Sequence, residues 1–311
     1  MLKNISSRIR RAVADAFTLF ALPGFAALLP WALGFALLKW CARNERLYRE
    51  ATEPAWAAAR EHCPGCDEKL WKYRFRLLRL VDHTDVYLTL LRGRGWRRRH
   101  VVVNGAWPET GACVFLTYHW GTGNWVWPLL RGRGFDAYFL ARRAEGRALG
   151  LTRLSHGFGR FRGWALRRIG SRGALFTGGS SAEVTAVLRA GDSVVGMLDL
   201  PVQNQQSAVQ CALFDGQVRF PFGLVRLAAE APARIAFFSF GLDFQTGRRD
   251  LRIDAVPEGL TPAQVLQRYA AHLDARLREA PEAWQIWREA PAMFVANDST
   301  QVSGSKTQGI Q

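Results

Sequence analysis

The stretch 112–125 reads ACVFLTYHWGTGNW, and it decides which fold this chain can adopt. Its first half, ACVFLTY, is a short run rich in Val, Phe and Leu, which is typical of a buried strand. Similar runs recur along the chain and alternate with helical patterns, so the sequence predicts an α/β fold with a largely parallel sheet flanked by helices. The predicted strands are 112–118, 136–141, 173–177, 193–199 and 234–241. The predicted helices between them are 125–131, 145–168, 180–190 and 222–230.

The second half of the stretch brings reactive groups to the end of that strand. His119 follows the strand directly, and Gly121 and Gly123 come next. Ligand sites in parallel sheets lie beyond the carboxyl ends of the strands. A histidine there can take a proton from an alcohol, glycines allow a ligand close approach, and a helix start offers donors to an oxyanion. These parts suit acyl transfer, and a structural histidine in a turn is the alternative interpretation.

The composition points to an acidic partner. The 311 residues include 42 Lys and Arg against 26 Asp and Glu, which gives a formal charge of +16 and a pI near 10.6. Such an excess favours nucleic acid, an anionic membrane surface, an acidic carrier protein or a phosphorylated lipid as partner. The five cysteines are irregularly spaced and predict a reducing compartment, not a disulfide framework. Cys63-Pro-Gly-Cys66 lacks a second pair of ligands, so we interpret it as a surface turn and predict no metal site.

The first 45 residues, 1–45, predict a membrane anchor. Residues 16–38 carry no charge and are flanked by basic residues on both sides. About 20 apolar residues suffice to cross a bilayer core, but Pro23 and Pro30 interrupt this run. A single span and a kinked, re-entrant anchor are therefore both open, and a buried core helix is the third interpretation. A cleaved signal peptide fits less well, because the run is too long and no cleavage site follows it.

Residues 46–100 have the pattern of a basic, amphipathic and largely helical segment. In 67–80, DEKLWKYRFRLLRL, apolar side chains alternate with Lys and Arg, as in a helix at a membrane interface. The same alternation also suits nucleic-acid binding. The apolar run just upstream favours lipid, so we predict no nucleic-acid partner. The remaining domain is 101–296, and the polar tail 297–311 is expected to be disordered.

Four blocks of sequence together resemble a known family. VFLTYHWGTGNW (114–125) is similar to the active-site block of the bacterial lipid A biosynthesis acyltransferases, the lauroyl and myristoyl transferases of the lysophospholipid acyltransferase superfamily. LRAGDSVVGMLDLP (188–201) resembles the family's block that ends in Asp, and FPFGLVRLAAEAPARIAFF (220–238) its block of Pro, Gly, short helix and strand. YAAHLDARLREAPEAWQIW (269–287) resembles its terminal helix. The blocks cover residues 100–290 in the family's order, and they imply a glycerolipid acyltransferase-like fold.

The resemblance implies transfer of a fatty acyl group from an acyl carrier protein or coenzyme A thioester to a hydroxyl of a membrane lipid, with no cofactor. The acceptor would be lipid A-like or a lysolipid. The enzyme would lie at the cell inner membrane with its catalytic domain on the cytoplasmic face. His119 would be the general base. The candidates for substrate binding around it are Arg142, Arg143, Gly121, Gly123, Trp125, Pro221 and Gly223.

One departure from the family pattern concerns the partner of His119. The family has a carboxylate five residues after the histidine, where this chain has Asn124. Asn124 can hold the imidazole by a hydrogen bond but gives no charge compensation. Asp199, at the end of another strand, and Asp136 are candidates to act in its place. Two alternatives to the enzyme therefore stay open: a non-catalytic lipid-binding relative and, more remotely, an Arg-rich nucleic-acid-binding protein.

Overall fold

Helices and strands alternate along the chain, as the patterning predicts. The computed structural model describes residues 2–142, 152–202 and 205–295, and all elements named below lie within these ranges. The helices are α1 (Leu2–Asp15), α2 (Leu22–Leu28), α3 (Trp31–Ala42), α4 (Arg49–Ala59), α5 (Glu68–Leu91), α6 (Arg94–His100), α7 (Val126–Gly132), α8 (Arg153–Ile169), α9 (Ser181–Arg189), α10 (Gly223–Glu230) and α11 (Pro262–Glu279). A π-helix covers Ala16–Ala21, and short 3-10 turns cover Gln205–Ser207, Pro281–Ala283 and Ala290–Ala292. The strands are β1 (Val101–Gly105), β2 (Cys113–Thr117), β3 (Ala137–Ala141), β4 (Ser171–Phe176), β5 (Ser193–Met197), β6 (Ala208–Leu213), β7 (Gly216–Pro221), β8 (Arg234–Leu242) and β9 (Arg249–Ala255).

The main sheet has seven strands in the order β1-β9-β8-β2-β5-β3-β4, and β6 and β7 form a separate hairpin. β8, β2, β5, β3 and β4 run parallel, whereas β9 is antiparallel to β8 and β1 follows the direction of β9. The carboxyl ends of the five parallel strands therefore meet at one edge of the sheet. β2 pairs directly with β5, with Thr117 opposite Met197. The residues that follow these two strands are consequently neighbours.

All five predicted strands are present, and the sheet is mostly parallel as expected. Four further strands, β1, β6, β7 and β9, lie outside the predicted set. β9 reads RDLRIDA, and its buried Leu251 and Ile253 alternate with polar residues. Such a half-polar run is less distinctive than β2, which is buried at every position. The central strands were therefore the easier ones to predict.

The predicted helices are confirmed between the strands, with one shifted boundary at the carboxyl end. α7, α9 and α10 match their predicted ranges closely, and α8 begins at Arg153, whereas residues 143–151 lie outside the described residues. The helix expected over 269–287 is α11, which starts earlier and ends at Glu279. Pro281 follows that end, and residues 280–294 form a segment that we call the C-terminal strap. The predicted tail 297–311 also lies outside the described residues.

The N-terminal apolar run is helical and is broken once. α1, the π-helix and α2 follow one another, and the chain then turns at residues 29–30 before α3. Ile9–Leu28, 20 residues, is long and apolar enough to cross a membrane by length and composition, and 33% of its most apolar 18-residue stretch is buried in the protein. Ala26 of α2 and Leu38 of α3 are fully buried, and both helices pack against α5. The run thus contains a candidate membrane helix, and some of its side chains belong to the core of the protein.

Side chains at the end of α5 bind the backbone of this apolar run. The hydroxyl of Tyr87 donates to the carbonyl oxygen of Leu19, in the π-helix, at 2.8 Å. The guanidinium of Arg92, directly after α5, donates to the carbonyl oxygens of Ala27 and Leu29, at 2.8 Å each. These bonds satisfy carbonyl groups at a π-helical turn and at a helix end, where the regular pattern is interrupted. The run is therefore tied to the body of the protein.

α5 lies in the core, so the interpretation of 67–80 as a membrane-interface helix is wrong. Trp71, Phe75 and Leu78 are at most 2% exposed and pack inside the protein. Arg76 is 4% exposed, and its Nε donates to the carbonyl oxygen of Ala42 at 2.8 Å. A helix of 24 residues in contact with the N-terminal helices and the core buries most of its apolar side chains. Its pattern resembles that of an interface helix because its basic residues lie between those buried positions.

Candidate active site

His119 and Asp199 meet at the edge where the parallel strands end. β2 ends at Thr117 and β5 at Met197, and each of the two residues lies two positions beyond its strand. The Nδ1 atom of His119 is 3.0 Å from Oδ1 of Asp199. The backbone N–H of His119 donates to Oδ2 of the same carboxylate at 2.8 Å. Asp199 therefore holds both the ring and the backbone of His119.

The two side chains differ in their exposure to solvent. The side chain of Asp199 is 0% exposed, whereas that of His119 is 26% exposed. With Nδ1–H donating to the carboxylate, a neutral imidazole presents the lone pair of Nε2 as its proton acceptor. The partly exposed ring is thus oriented as a base that a substrate hydroxyl can approach.

The C-terminal strap closes around this pair. The indole Nε1 of Trp284, a fully buried side chain, donates to Oδ2 of Asp199 at 2.8 Å. The backbone N–H of Gln285 donates to the carbonyl oxygen of His119 at 2.7 Å. Sequence reasoning did not identify Trp284 as a site residue. Its only signal was its place after Pro281 in a block that resembles the family's terminal helix, whereas α11 ends at Glu279 and Trp284 follows a short 3-10 turn.

The pKa of His119 is raised above the ordinary value of 6.5. Burial lowers this pKa, but the negative charge of Asp199 and its hydrogen bond to Nδ1 together outweigh the effect of burial. Glu289 of the strap raises the pKa further, and the positive charge of Arg162 opposes it. His119 is therefore a stronger base than free imidazole, and it requires a pH above 6.5 to be mostly deprotonated.

Asn124 hydrogen bonds to α5 and not to the imidazole, contrary to expectation. Its Nδ2 donates to the backbone carbonyl oxygen of Asp82 at 3.1 Å and lies 3.4 Å from Oδ1 of that residue. The loop after β2 turns Asn124 inward, where it is 1% exposed. Asp136, the other candidate acid, precedes β3 and so lies at the opposite edge of the sheet. Asp199 alone among these candidates gives His119 a carboxylate partner.

Asp82, beside Asn124, holds an arginine near His119. Its carboxylate accepts two hydrogen bonds from the guanidinium of Arg162, at 2.8 and 3.1 Å. The side chain of Asp82 is 6% exposed and that of Arg162 is 34% exposed, so the cation lies between the core and the solvent. Sequence reasoning missed Arg162, because α8 carries several arginines and no spacing marks the one that pairs with Asp82.

The two glycines of the loop play different parts. Gly121 has a φ of +75°, and a Cβ there would overlap the carbonyl oxygen of Phe240, so close packing on β8 requires glycine. The backbone N–H groups of Gly121 and Thr122 donate to the carbonyl oxygens of Ala283 and Phe240, at 2.9 Å each, which leaves neither for an oxyanion. Gly123 is exposed with open space around it, and its part in the approach of a ligand stays a prediction.

Of three other predicted residues, the structure describes Trp125 and Arg142. Trp125, a candidate for substrate binding, is 1% exposed and stacks on Trp96 with ring centroids 4.9 Å apart, so it belongs to the core. Arg142 is exposed directly after β3, at the same edge of the sheet as His119. Arg143 lies outside the described residues.

Pro221 and Gly223 shape the connection between the hairpin and α10. Pro221 ends β7, and Gly223 begins α10. The next residue, Leu224, packs on Gly196 of β5, three positions before Asp199. Pro221 and Gly223 therefore precede a helix that packs on the strand before Asp199, and their part in substrate binding stays a prediction.

The arrangement can perform acid–base chemistry at an alcohol. A neutral imidazole fixed at Nδ1 by a buried carboxylate can remove a proton through Nε2 and return it later. In the described ranges, no three His, Cys, Asp or Glu side chains gather as they would around a metal ion. Cys63 and Cys66 are free thiols at a turn.

No family model matches this chain, and no curated protein matches it either. The likeness to the lipid A acyltransferases therefore rests on the four blocks of sequence alone. The structural evidence on function is the contact of His119 with the buried Asp199.

Proposed function

We propose that this chain is an acyltransferase that moves a fatty acyl group from an acyl carrier protein or coenzyme A thioester to a hydroxyl of a membrane lipid. One observation carries the proposal: the buried Asp199 holds Nδ1 of His119 at 3.0 Å, which leaves Nε2 to act as base. The sequence blocks supply the reaction class, with a lipid A-like molecule or a lysolipid as acceptor. The chemistry requires no cofactor.

In the proposed reaction, Nε2 of His119 takes the proton of the acceptor hydroxyl while the oxygen attacks the carbonyl carbon of the thioester. A C–O bond forms, the C–S bond breaks, and His119 passes the proton to the leaving thiolate. Asp199 stabilises the imidazolium between the two transfers. Arg162, which Asp82 holds near His119, is the cation that we assign to the negative charge developing on the carbonyl oxygen.

We propose that the N-terminal helices lie along the inner membrane, with the catalytic domain on its cytoplasmic face. These helices expose a set of large apolar side chains, each 43% to 68% exposed: Ile9, Val13, Phe17, Phe25, Leu28, Leu33 and Trp40. Contiguous exposed apolar side chains mark a contact surface, and a helix that lies in the interface buries such a face in lipid. The contacts of Tyr87 and Arg92 with the backbone of these helices favour this arrangement over a detached span. The formal charge of +16 suits anionic lipid.

The double variant Phe25→Ser with Leu28→Ser tests this membrane contact. Burial of one such side chain is worth about 1.5–3 kcal/mol, so we expect binding to fall by more than about tenfold. Cosedimentation with vesicles of phosphatidylglycerol and phosphatidylethanolamine measures the binding. The control Leu70→Ser with Val103→Ser removes exposed apolar side chains outside α1–α3 and should bind like wild type. Equal binding by both double variants contradicts the proposal.

The variant His119→Ala tests the proposed reaction. Loss of a general base lowers the rate by roughly 10²- to 10⁴-fold, so the acylated lipid should disappear. The protein is purified in detergent, and lipids from cells with the wild-type gene, the variant gene or no gene are compared by mass spectrometry. If cells with His119→Ala and cells with wild type contain the same acylated lipids, the proposed reaction is contradicted. The alternative of a non-catalytic lipid-binding protein is then favoured.

His272→Ala is the matched control for this experiment. His272 also pairs with a carboxylate, Asp254, at 3.1 Å, but it lies on α11 and not at the end of a parallel strand. We expect its acylated lipids to equal those of wild type. A comparable loss in both variants would indicate that removal of a paired histidine harms the fold, and it would contradict the specific role of His119.

A further inference from the structure

The strands that carry His119 and Asp199 stop pairing just before these residues. The last paired positions of β2 and β5 are Thr117 and Met197. Beyond that point the imidazole of His119 and the carboxylate of Asp199 have to meet. The hydrogen bonds between β2 and β5 no longer set the distance between the two segments. Another group therefore has to fix the separation of the strand ends.

The hydroxyl of Tyr269, on α11, lies between the two strand ends. It donates to the carbonyl oxygen of Thr117 at 2.8 Å and accepts the backbone N–H of Leu198 at 3.1 Å. Thr117 is two residues before His119, and Leu198 is the residue before Asp199. One oxygen atom thus links the two strand ends next to the candidate base and its carboxylate.

Tyr269 is itself held firmly. It is 0% exposed, and its ring packs on Tyr118 with centroids 4.5 Å apart and edge-on against Phe220 and Phe237. Burial raises the pKa of Tyr269 well above the ordinary value of 10.0, so the hydroxyl keeps its proton at any working pH. It therefore remains both a donor and an acceptor wherever the enzyme operates.

We infer that Tyr269 is a positioning residue, whose hydroxyl sets the distance between His119 and Asp199 by bridging Thr117 and Leu198. The inference rests on the proposed acyl transfer, because it assigns Tyr269 a part in that reaction through the two residues that carry it. Without the oxygen, one carbonyl group and one N–H group lie buried without their partner. The strand ends then shift to find other partners, and the imidazole and carboxylate move apart with them.

Tyr118 provides a matched control for the loss of one buried hydroxyl. It is 3% exposed, and its ring packs on Tyr269 in the same aromatic cluster. Its hydroxyl contacts the carbonyl oxygen of Tyr269 and Nδ1 of His272, at 3.1 and 3.0 Å, and does not link the strand ends. Tyr118→Phe and Tyr269→Phe therefore remove the same atom from the same cluster with different consequences for the site.

The experiment compares these two variants with wild type by three measurements. A misplacement of about 1 Å can reduce turnover 100-fold, so we expect Tyr269→Phe to lower kcat by about 10- to 100-fold with little change in KM. The pKa of His119, followed by NMR in protein with labelled histidine and assigned with His119→Gln, should fall in Tyr269→Phe. Hydrogen exchange at the amide of Leu198 should become faster. Tyr118→Phe should match wild type in all three.

Two results overturn the inference. The first is a Tyr269→Phe protein whose His119 titration, Leu198 exchange and kcat equal those of Tyr118→Phe. The second is a Tyr269→Phe protein that does not fold while Tyr118→Phe does, because the hydroxyl would then be a requirement of the fold. Titration and amide exchange do not need acyl transfer. If the wild-type protein has no acyltransferase activity, the proposed function is contradicted. The titration of His119 and the amide exchange of Leu198 then still test whether Tyr269 positions the two strand ends.

Discussion

Asp199→Asn is expected to lower turnover by about 10⁴-fold while the protein stays folded, as loss of the analogous aspartate does in a catalytic triad. The reason lies in the hydrogen bonds of the carboxylate. Oδ2 accepts the backbone N–H of His119 and the indole N–H of Trp284, at 2.8 Å each, so the amide oxygen of asparagine will take that place. The amide NH₂ then faces Nδ1, which has to accept. The proton moves to Nε2, so that nitrogen no longer has a lone pair with which to accept the proton of the substrate.

The pH dependence of the residual activity gives a second expectation for Asp199→Asn. In wild type the raised pKa of His119 places the acid limb of kcat/KM above pH 6.5, and activity is lost as the pH falls through that raised pKa. The charge of Asp199 opposes the effect of burial, so its removal leaves burial to lower the pKa. The acid limb should therefore move below pH 6.5.

Asp254→Asn is the control for Asp199→Asn. Asp254, on β9, accepts from Nε2 of His272 at 3.1 Å and is not the partner of His119. We expect its turnover and acid limb to stay close to those of wild type. Steady-state kinetics with an acyl thioester and a lipid acceptor measure both variants. Turnover of Asp199→Asn within tenfold of wild type would contradict the assigned role of Asp199.

Asp85→Ala is expected to destabilise the protein by about 3–5 kcal/mol, because it leaves a buried cation without its partner. Asp85 of α5 and Arg249 of β9 are both 0% exposed and form a two-bond ion pair, with Nε 3.3 Å from Oδ2. The guanidinium also lies over the rings of Trp31 and Trp96, at 4.3 and 5.5 Å from their centroids. The pair therefore joins the sheet, α5, α6 and the N-terminal helices. Denaturant unfolding measures the change in the free energy of unfolding.

Two controls separate the buried charge from other effects of this substitution. The double variant Asp85→Leu with Arg249→Met removes both charges, and replacement of a buried pair by apolar residues is often neutral or stabilising. We expect it to recover most of the lost stability. Glu230→Ala breaks the half-exposed pair with Arg226 and should change the free energy of unfolding by less than about 1 kcal/mol. A double variant no more stable than Asp85→Ala would show that shape, and not charge, holds this site.

Much of the sheet could be predicted from local sequence. β2 is buried at every position and β5 at most, so their apolar runs are unambiguous, and the end of β2 identifies His119 without any long-range information. β9 and the hairpin strands were missed because their partly polar runs carry a weaker local signal. α5 was misplaced at the membrane for a similar reason: a pattern of alternating apolar and basic residues does not say whether lipid or protein covers the apolar face.

The partner of His119 could not be predicted in the same way. Asn124 is five residues from His119 in the chain, yet the loop turns it toward Asp82, whereas Asp199 comes from 80 residues away. The pairing of β2 with β5 brings Asp199 to the site, and the strap adds Trp284 from the far end of the described chain. By itself, the sequence determined the α/β class and the position of His119 at a strand end, because periodicity and apolar runs are local properties. Only the tertiary structure decided which carboxylate holds the imidazole, because that contact depends on strand order and on where helices and the strap pack.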